Sequence, residues 1–464
     1  MYFERVFDRG LAQASYVVGC QESGEALVVD PRRDIDIYLE IARREGLRIT
    51  HVSETHIHAD YLSGSRELAA ATGARLLLSE MGGSDWQYRF DHEPLYEGDR
   101  IMIGNVRIEV MHTPGHTPEH ITFIVTDTPA GDAPTLALTG DFIFVGDVGR
   151  PDLLEKAASQ AGTQEAGARD LYRSLRKATE LPSYLPLWPG HGAGSACGKS
   201  LGALPSSSLG YEEVTSWVFA AADEDEFVSE ILQGQPEPPS YFGRMKRQNR
   251  EGPPILGSLP RPRRLGAVEL EEILEGEAQL LDARSKEEFA AGHVPGALNV
   301  QADEGFSNWA GWTVDHRRPV ILLAPEDRID ELLRGLIRVG IDRVEGYLPG
   351  IEEWENASKP LRKLQQLSPQ QLFERSESYD IIDVRGQDEW EEGRIEGARH
   401  IHVGSLRERQ EELPRERKLL LHCASGSRST LGASILENLG FEDVTNLEGG
   451  IEAWQEAGLP VERE

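Results

Sequence analysis

The sequence predicts a mixed α/β protein of three domains, and three observations carry that prediction. The chain has 464 residues, enough for about three domains of roughly 150 residues each. Its second half contains an internal repeat. Short apolar runs with strand character alternate with helical stretches in every part of the chain. Hydrophobic residues make up 39% and charged residues 27%, a composition that supports globular cores and argues against wholesale disorder.

The repeat fixes the C-terminal organisation. Leu280-Leu281-Asp282-Ala283-Arg284 reappears as Ile381-Ile382-Asp383-Val384-Arg385, and Glu288-Phe289 as Glu389-Trp390, at an offset of 101. Gly350-Ile351-Glu352-Glu353-Trp354 recurs as Gly450-Ile451-Glu452-Ala453-Trp454, now at an offset of 100, so one residue is dropped between the two blocks. Residues 265–361 and 362–464 are therefore expected to be two copies of one small α/β domain with a parallel sheet. Residues 233–264 hold several prolines and a basic cluster, Arg244, Lys246, Arg247, Arg250, Arg261, Arg263 and Arg264. They read as a linker, either a solvated connector or a segment folded back to present cations to an anionic substrate.

Residues 1–232 follow a different grammar. Four separate His/Asp clusters each follow an apolar run: Thr55-His56-Ile57-His58-Ala59-Asp60-Tyr61, then His112 through His116 to His120, then Thr139-Gly140-Asp141, then Pro189-Gly190-His191. Side chains placed where strands run out into loops are how open α/β architectures assemble a site, and this set has the composition of a metal centre. Cys197 lies in a glycine-rich loop just after His191, as an inert packed thiol or as a reactive thiol or gate. Cys20, on the run SYVVGC, reads as structural.

The second repeat contains Leu419-Leu420-Leu421-His422-Cys423-Ala424-Ser425-Gly426-Ser427-Arg428 ahead of a helical stretch. A strand, a loop of small residues and a helix start form a cradle of backbone N–H groups that favours a thiolate and any anionic sulfur attached to it. Cys423 is the expected nucleophile, Ser425, Gly426 and Ser427 the cradle, and Arg428 a fixed positive charge. The equivalent stretch of the first copy, Ala324-Pro325-Glu326-Asp327-Arg328, has no cysteine and an acidic pair, so that copy is expected to be inactive.

The N-terminal clusters resemble the metallo-β-lactamase superfamily pattern HxHxDH, His, Asp, His, which implies an αββα sandwich over about residues 1–230. The final histidine of HxHxDH is Tyr61 here, a loss that weakens a second metal site. Within the superfamily the THxHAD, PGHTP and TGD motifs and the step Gly149-Arg150-Pro151-Asp152 are similar to the persulfide dioxygenase branch. That resemblance implies one Fe(II) per chain held by His56, His116 and Asp141, with His58, Asp60, His191 and Tyr61 around it. It also implies Arg150 as anchor for a carboxylate of the thiol carrier. The C-x4-R loop resembles a rhodanese, tighter than the C-x5-R of cysteine phosphatases. The order of parts resembles persulfide dioxygenase–rhodanese fusions, which implies oxidation of low-molecular-weight thiol persulfides by O2 to sulfite, and thiosulfate formation at Cys423. A dinuclear zinc thioester hydrolase of the glyoxalase II type and a non-enzymatic sulfur relay are the rival readings.

Charge and cysteine usage narrow the partners. Lys+Arg total 48 against 79 Asp+Glu, a net charge of -31, which disfavours nucleic acid and anionic membranes. No run approaches the roughly 18 apolar residues of a membrane span. Three isolated cysteines make a poor disulfide framework, so a cytoplasmic setting is expected. The family resemblance, separately, implies a homo-oligomer.

Overall fold

The computed structural model describes residues 1–156 and 162–463. It divides into two compact units, Met1–Leu259 with Ile337–Gly340, and Pro260–Leu336 with Ile341–Glu464.

The first unit holds two six-stranded sheets among the described residues. One runs in the order Tyr2–Asp8, Gln13–Cys20, Glu25–Val29, Arg48–Ser53, Arg75–Ser79, Glu93–Leu95, antiparallel at first and then parallel. The other runs Ser207–Ser208, Pro186–Pro189, Leu136–Gly140, Ile121–Asp127, Val106–His112, Arg100–Ile103. Strand alternation explains the layering. Tyr16, Val18, Leu27 and Val29 face the second sheet and pack with Ile103, Val110, Phe123 and Leu138. Their neighbours Val17 and Val28 face outward, onto Tyr38 and Ile41 of the helix Asp36–Glu45. Ala137 and Leu187 on the outer face of the second sheet meet Leu171 and Leu175 of the helix Thr163–Ala178. The result is the expected αββα sandwich, and Gln13–Cys20 is buried along its whole length because both of its faces are covered. Cys20 belongs to the core between the sheets.

The segment expected as a linker is structured. Phe242–Glu251 is a helix, and its Phe242, Met245, Lys246 and Asn249 are buried in the first unit. The spacing 242, 245, 246, 249 is one face of a helix, an amphipathic pattern hidden by the surrounding arginines and prolines.

The second unit contains two five-stranded parallel sheets of identical strand order. The residues shared by the two repeats hold this fold. Arg284 pairs with Asp282 (2.6 Å) and donates to the Gly292 carbonyl (3.0 Å), while Arg385 pairs with Asp383 (2.6 Å) and donates to Gly393 (2.6 Å). Trp354 donates to the Pro360 carbonyl and Trp454 to that of Pro460, each at 2.9 Å. Each Asp–Arg clip ties a strand end to a helix end. No helix among the described residues is long and apolar enough to cross a membrane.

Candidate metal centre and sulfur-transfer loop

His56 follows the strand Arg48–Ser53, His116 lies in the loop after Val106–His112, and Asp141 follows Leu136–Gly140. The strands run out on one side of the sandwich, which brings these three residues together although 60 and more separate the first from the others in sequence. Asp141 Oδ2 lies 3.5 Å from His116 Nε2 and 3.9 Å from His56 Nε2. All three are buried, and one ligand atom from each lies within 4.8 Å of the others.

The imidazoles are aimed by their other nitrogen. His56 Nδ1 meets Thr55 Oγ1 (3.0 Å) and His116 Nδ1 the Arg150 carbonyl (2.9 Å). This leaves His56 Nε2 and both Asp141 oxygens buried without a hydrogen-bond partner. Buried polar atoms without partners are costly unless something neutralises them, so this donor set fits a bound cation. Burial pushes the Asp141 carboxyl up to about 6 and, with Lys246 next in effect, lowers His116 to about 3. Neutral imidazole is the form that binds metal. A backbone glycine completes the site: a Cβ on Gly149 would overlap the Asp141 carbonyl oxygen.

The expected surrounding residues divide in two. His58 pairs with Asp30 (3.0 Å), which overcomes burial and raises the imidazole to about 9. Asp30 also accepts from the Thr55 N–H (2.7 Å) and hydroxyl (2.9 Å), fixing the turn that carries His56. Asp60 and His191, by contrast, meet Cys197 in a second buried trio of ligand atoms within 4.8 Å. His191 Nε2 lies 3.4 Å from Asp60 Oδ2 and 3.6 Å from Asp141 Oδ2.

In the second unit, Cys423 ends the strand Lys418–His422 and the helix Ser427–Asn438 begins four residues later. The thiol is buried and accepts hydrogen bonds from the Gly426 N–H (3.1 Å) and the Ser429 hydroxyl (3.5 Å). Gly426 sits at φ +105°, which turns its N–H inward. Behind the loop, the Ile451 N–H donates to the Cys423 carbonyl (2.8 Å), and a Cβ on Gly450 would overlap the Cys423 and Ala424 carbonyl oxygens. The repeated Gly-Ile-Glu motif is thus the seat of the cysteine loop. Arg428 differs from expectation. Its guanidinium pairs with Glu389 (2.7 Å), so its charge is shared instead of lying free over the loop. A second cation comes from the other repeat, where Lys286 Nζ donates to the Ser425 carbonyl (2.6 Å). A cavity of about 340 Å³ opens there, lined by Lys286 and Glu287 together with Ser425, Gly426 and Asn446.

The profile of the metallo-beta-lactamase superfamily matches residues 8–191, and that of the rhodanese-like domain matches residues 266–357 and 368–457. A crystal structure of a metallo-beta-lactamase from Staphylococcus aureus is 40% identical, covers 75% of this chain and 99% of its own, and superposes with a TM-score of 0.70. The chain belongs to the metallo-β-lactamase superfamily. Two rhodanese-like domains follow that fold. The bovine mitochondrial persulfide dioxygenase ETHE1 is 30% identical over 196 residues, 40% of this chain and 66% of that enzyme. The hydroxyacylglutathione hydrolase of Rhodospirillum rubrum is 32% identical over 176 residues, 38% of this chain and 60% of that enzyme. The chain thus spans about two thirds or less of the length of these curated relatives.

Three further expected residues surround the centre. Tyr61, standing where a ligand histidine would be, is fully buried and donates to the Asp30 carbonyl (3.1 Å). Arg150 is also fully buried, with two 2.7 Å bonds to Asp152 and a third (3.2 Å) to the Ala196 carbonyl. Its fork is occupied, so it ties down the Cys197 loop instead of reaching a substrate carboxylate. Cys197 is pushed well above its usual range by burial and by the Asp141 and Asp60 carboxylates, which disfavours it as a free persulfide-carrying thiolate.

Several residues of the site have no role assigned from sequence. His120 Nε2 accepts the Asp141 N–H (3.1 Å), and Glu119 accepts the Ile57 N–H (2.8 Å). Asn249 donates to the His58 and Tyr61 carbonyls (2.8 Å each) and accepts the Ser63 N–H (2.9 Å). Its only sequence signal is the helical spacing of 242, 245, 246 and 249.

Proposed function

We propose that this chain oxidises a low-molecular-weight thiol persulfide with O2 at a single non-haem iron, and converts the sulfite so formed to thiosulfate at Cys423. The observation that carries the reading is the co-occurrence, in one chain, of a two-histidine, one-carboxylate trio and a cysteine held in a rhodanese loop. Ferrous iron held by His56, His116 and Asp141 supplies coordination positions for substrate and dioxygen. The net reaction is RSSH + O2 + H2O → RSH + SO3²⁻ + 2 H⁺. Thr55 and the Arg150 carbonyl hold the two imidazoles in their metal-facing tautomer, and Asp30 and Asn249 hold the loop that carries His56, His58 and Asp60. In the second unit the Cys423 thiolate attacks the outer sulfur of a second persulfide and RS⁻ leaves. The Gly426 N–H and the helix N-terminus stabilise the resulting anionic sulfur. Sulfite attacks that sulfur, thiosulfate departs, and Cys423 is restored as thiolate.

The test is oxygen uptake by iron-loaded protein with a panel of persulfides, with sulfite and thiosulfate assayed in parallel. Oxygen consumption with thiosulfate as product is expected, and no uptake with any persulfide would overturn the reading. The Asp60–His191–Cys197 trio favours a second reading, a dinuclear thioester hydrolase like the hydroxyacylglutathione hydrolases. Two metals per chain together with thioester hydrolysis and no oxygen uptake would establish that reading instead.

A further inference from the structure

The first unit contains a buried cation without a counter-ion. Lys246 is only 8% exposed, yet among the described residues no carboxylate lies within ion-pair distance of it. Its Nζ stands 4.6 Å over the Trp86 ring, a contact that orients the ammonium group without neutralising it. It sits one helical turn before Asn249, on the same buried face. Asn249 grips the His58 and Tyr61 carbonyls, so Lys246 is held beside the metal loop. Its charge bears on both ligand histidines, His56 and His116, and on Cys197. Burial lowers its pKa to about 8, so it remains mostly protonated at pH 7. Glu119 favours its charge from beyond ion-pair distance; its Oε1 accepts the Ile57 N–H, and its Oε2 is buried without a hydrogen-bond partner.

A buried ammonium costs several kcal/mol unless an anion meets it. Of the other cations near the centre, Arg150 is already spent on Asp152 and His58 on Asp30. We infer that Lys246 is the anchor for an anionic group on the non-sulfur end of the thiol carrier, a carboxylate or a phosphate, held while the sulfur end reaches the metal centre. This deepens the persulfide reading and rests on it for the identity of the ligand as a thiol.

The test measures binding and requires no turnover. Full-length, iron-reconstituted protein is titrated anaerobically by calorimetry with glutathione and cysteine (carboxylates), coenzyme A (phosphates) and neutral 2-mercaptoethanol, in the wild type, Lys246→Met and Lys246→Arg. At least one anionic thiol should bind the wild type more tightly than mercaptoethanol, and the preferred one identifies carboxylate or phosphate. Lys246→Met should weaken that thiol by roughly ten- to a hundredfold and leave mercaptoethanol unchanged, while Lys246→Arg retains most of the affinity. Lys246→Met should also melt at or above the wild-type temperature, because it removes an uncompensated buried charge; a purely structural lysine would lower it. The inference fails if no anionic thiol is preferred, if Lys246→Met binds them undiminished, or if mercaptoethanol weakens equally. Oxygen uptake measured separately keeps the outcomes apart: a catalytically active protein with an indifferent Lys246 refutes only the anchor, and an inactive protein with the binding pattern intact refutes only the dioxygenase.

Discussion

The two rhodanese repeats share a scaffold and differ in one loop. The Asp–Arg clip and the Trp-to-proline-carbonyl bond recur at matching positions with matching geometry. At the end of the strand Lys418–His422 stand Cys423 and a glycine at φ +105° that turns an N–H toward sulfur. At the end of Val320–Leu323 stand Ala324 and Pro325, which lacks an N–H, then a short 3₁₀ turn over Glu326–Arg328. The cleft itself survives in the first copy, with a cavity of about 410 Å³ lined in part by Glu288, Asp303 and Glu352. The contacts that maintain the fold are therefore common to both copies, and the difference between them lies in one thiol and a handful of backbone donors. The copy that lacks the cysteine nonetheless keeps Lys286 against the Cys423 loop, which gives its retention a local chemical basis.

This comparison can be broken or sharpened by substitution. Cys423→Ser should lower thiosulfate formation by at least about a thousandfold. It should leave oxygen uptake in place, so that sulfite accumulates in the product assay. Asp383→Asn and Asp282→Asn each strand an arginine that is 6% and 9% exposed, and each should cost about 3–5 kcal/mol by denaturant titration. Very unequal losses would show that the two scaffolds are not equivalent. Trp354→Phe and Trp454→Phe each remove one hydrogen bond and some volume, at about 1–2 kcal/mol apiece in the same titration. Finally, Ala324→Cys in a Cys423→Ser background should restore no sulfur transfer, since Pro325 and the acidic pair supply no anion cradle. Measurable transfer would mean that a thiol alone suffices.

Legibility tracked how local each signal is. The repeat, the strand-end positions of His56, His116 and Asp141, and the Cys423 loop all depend on short-range spacing, and the sequence carries them openly. For Arg150 the partner is local, since Asp152 lies only two residues away and an Arg-Pro-Asp spacing already permits the bidentate pair that is found. Arg428 is neutralised by Glu389, 39 positions distant, and no local pattern announces that. In residues 233–264 arginines and prolines mask the fold, because they dominate the composition while a single helical face carries the buried residues. Asp30 was hidden for another reason: one acidic residue after an apolar strand has no motif, and its importance appears only when Thr55 and His58 converge on it.

The grip of Asn249 on the His58 and Tyr61 carbonyls bears on the order in which the protein is made. The loop carrying His58 and Asp60 leaves the ribosome some 190 residues before the side chain that clamps it. Chains emerge at about 5–20 residues per second, so once the first unit's last strand, Ser207–Ser208, is made, that loop still lacks its clasp for roughly 2–8 seconds. A fragment ended at residue 232 would keep both sheets and lose the clasp for good. Competence to load metal is thus among the last properties the first unit acquires.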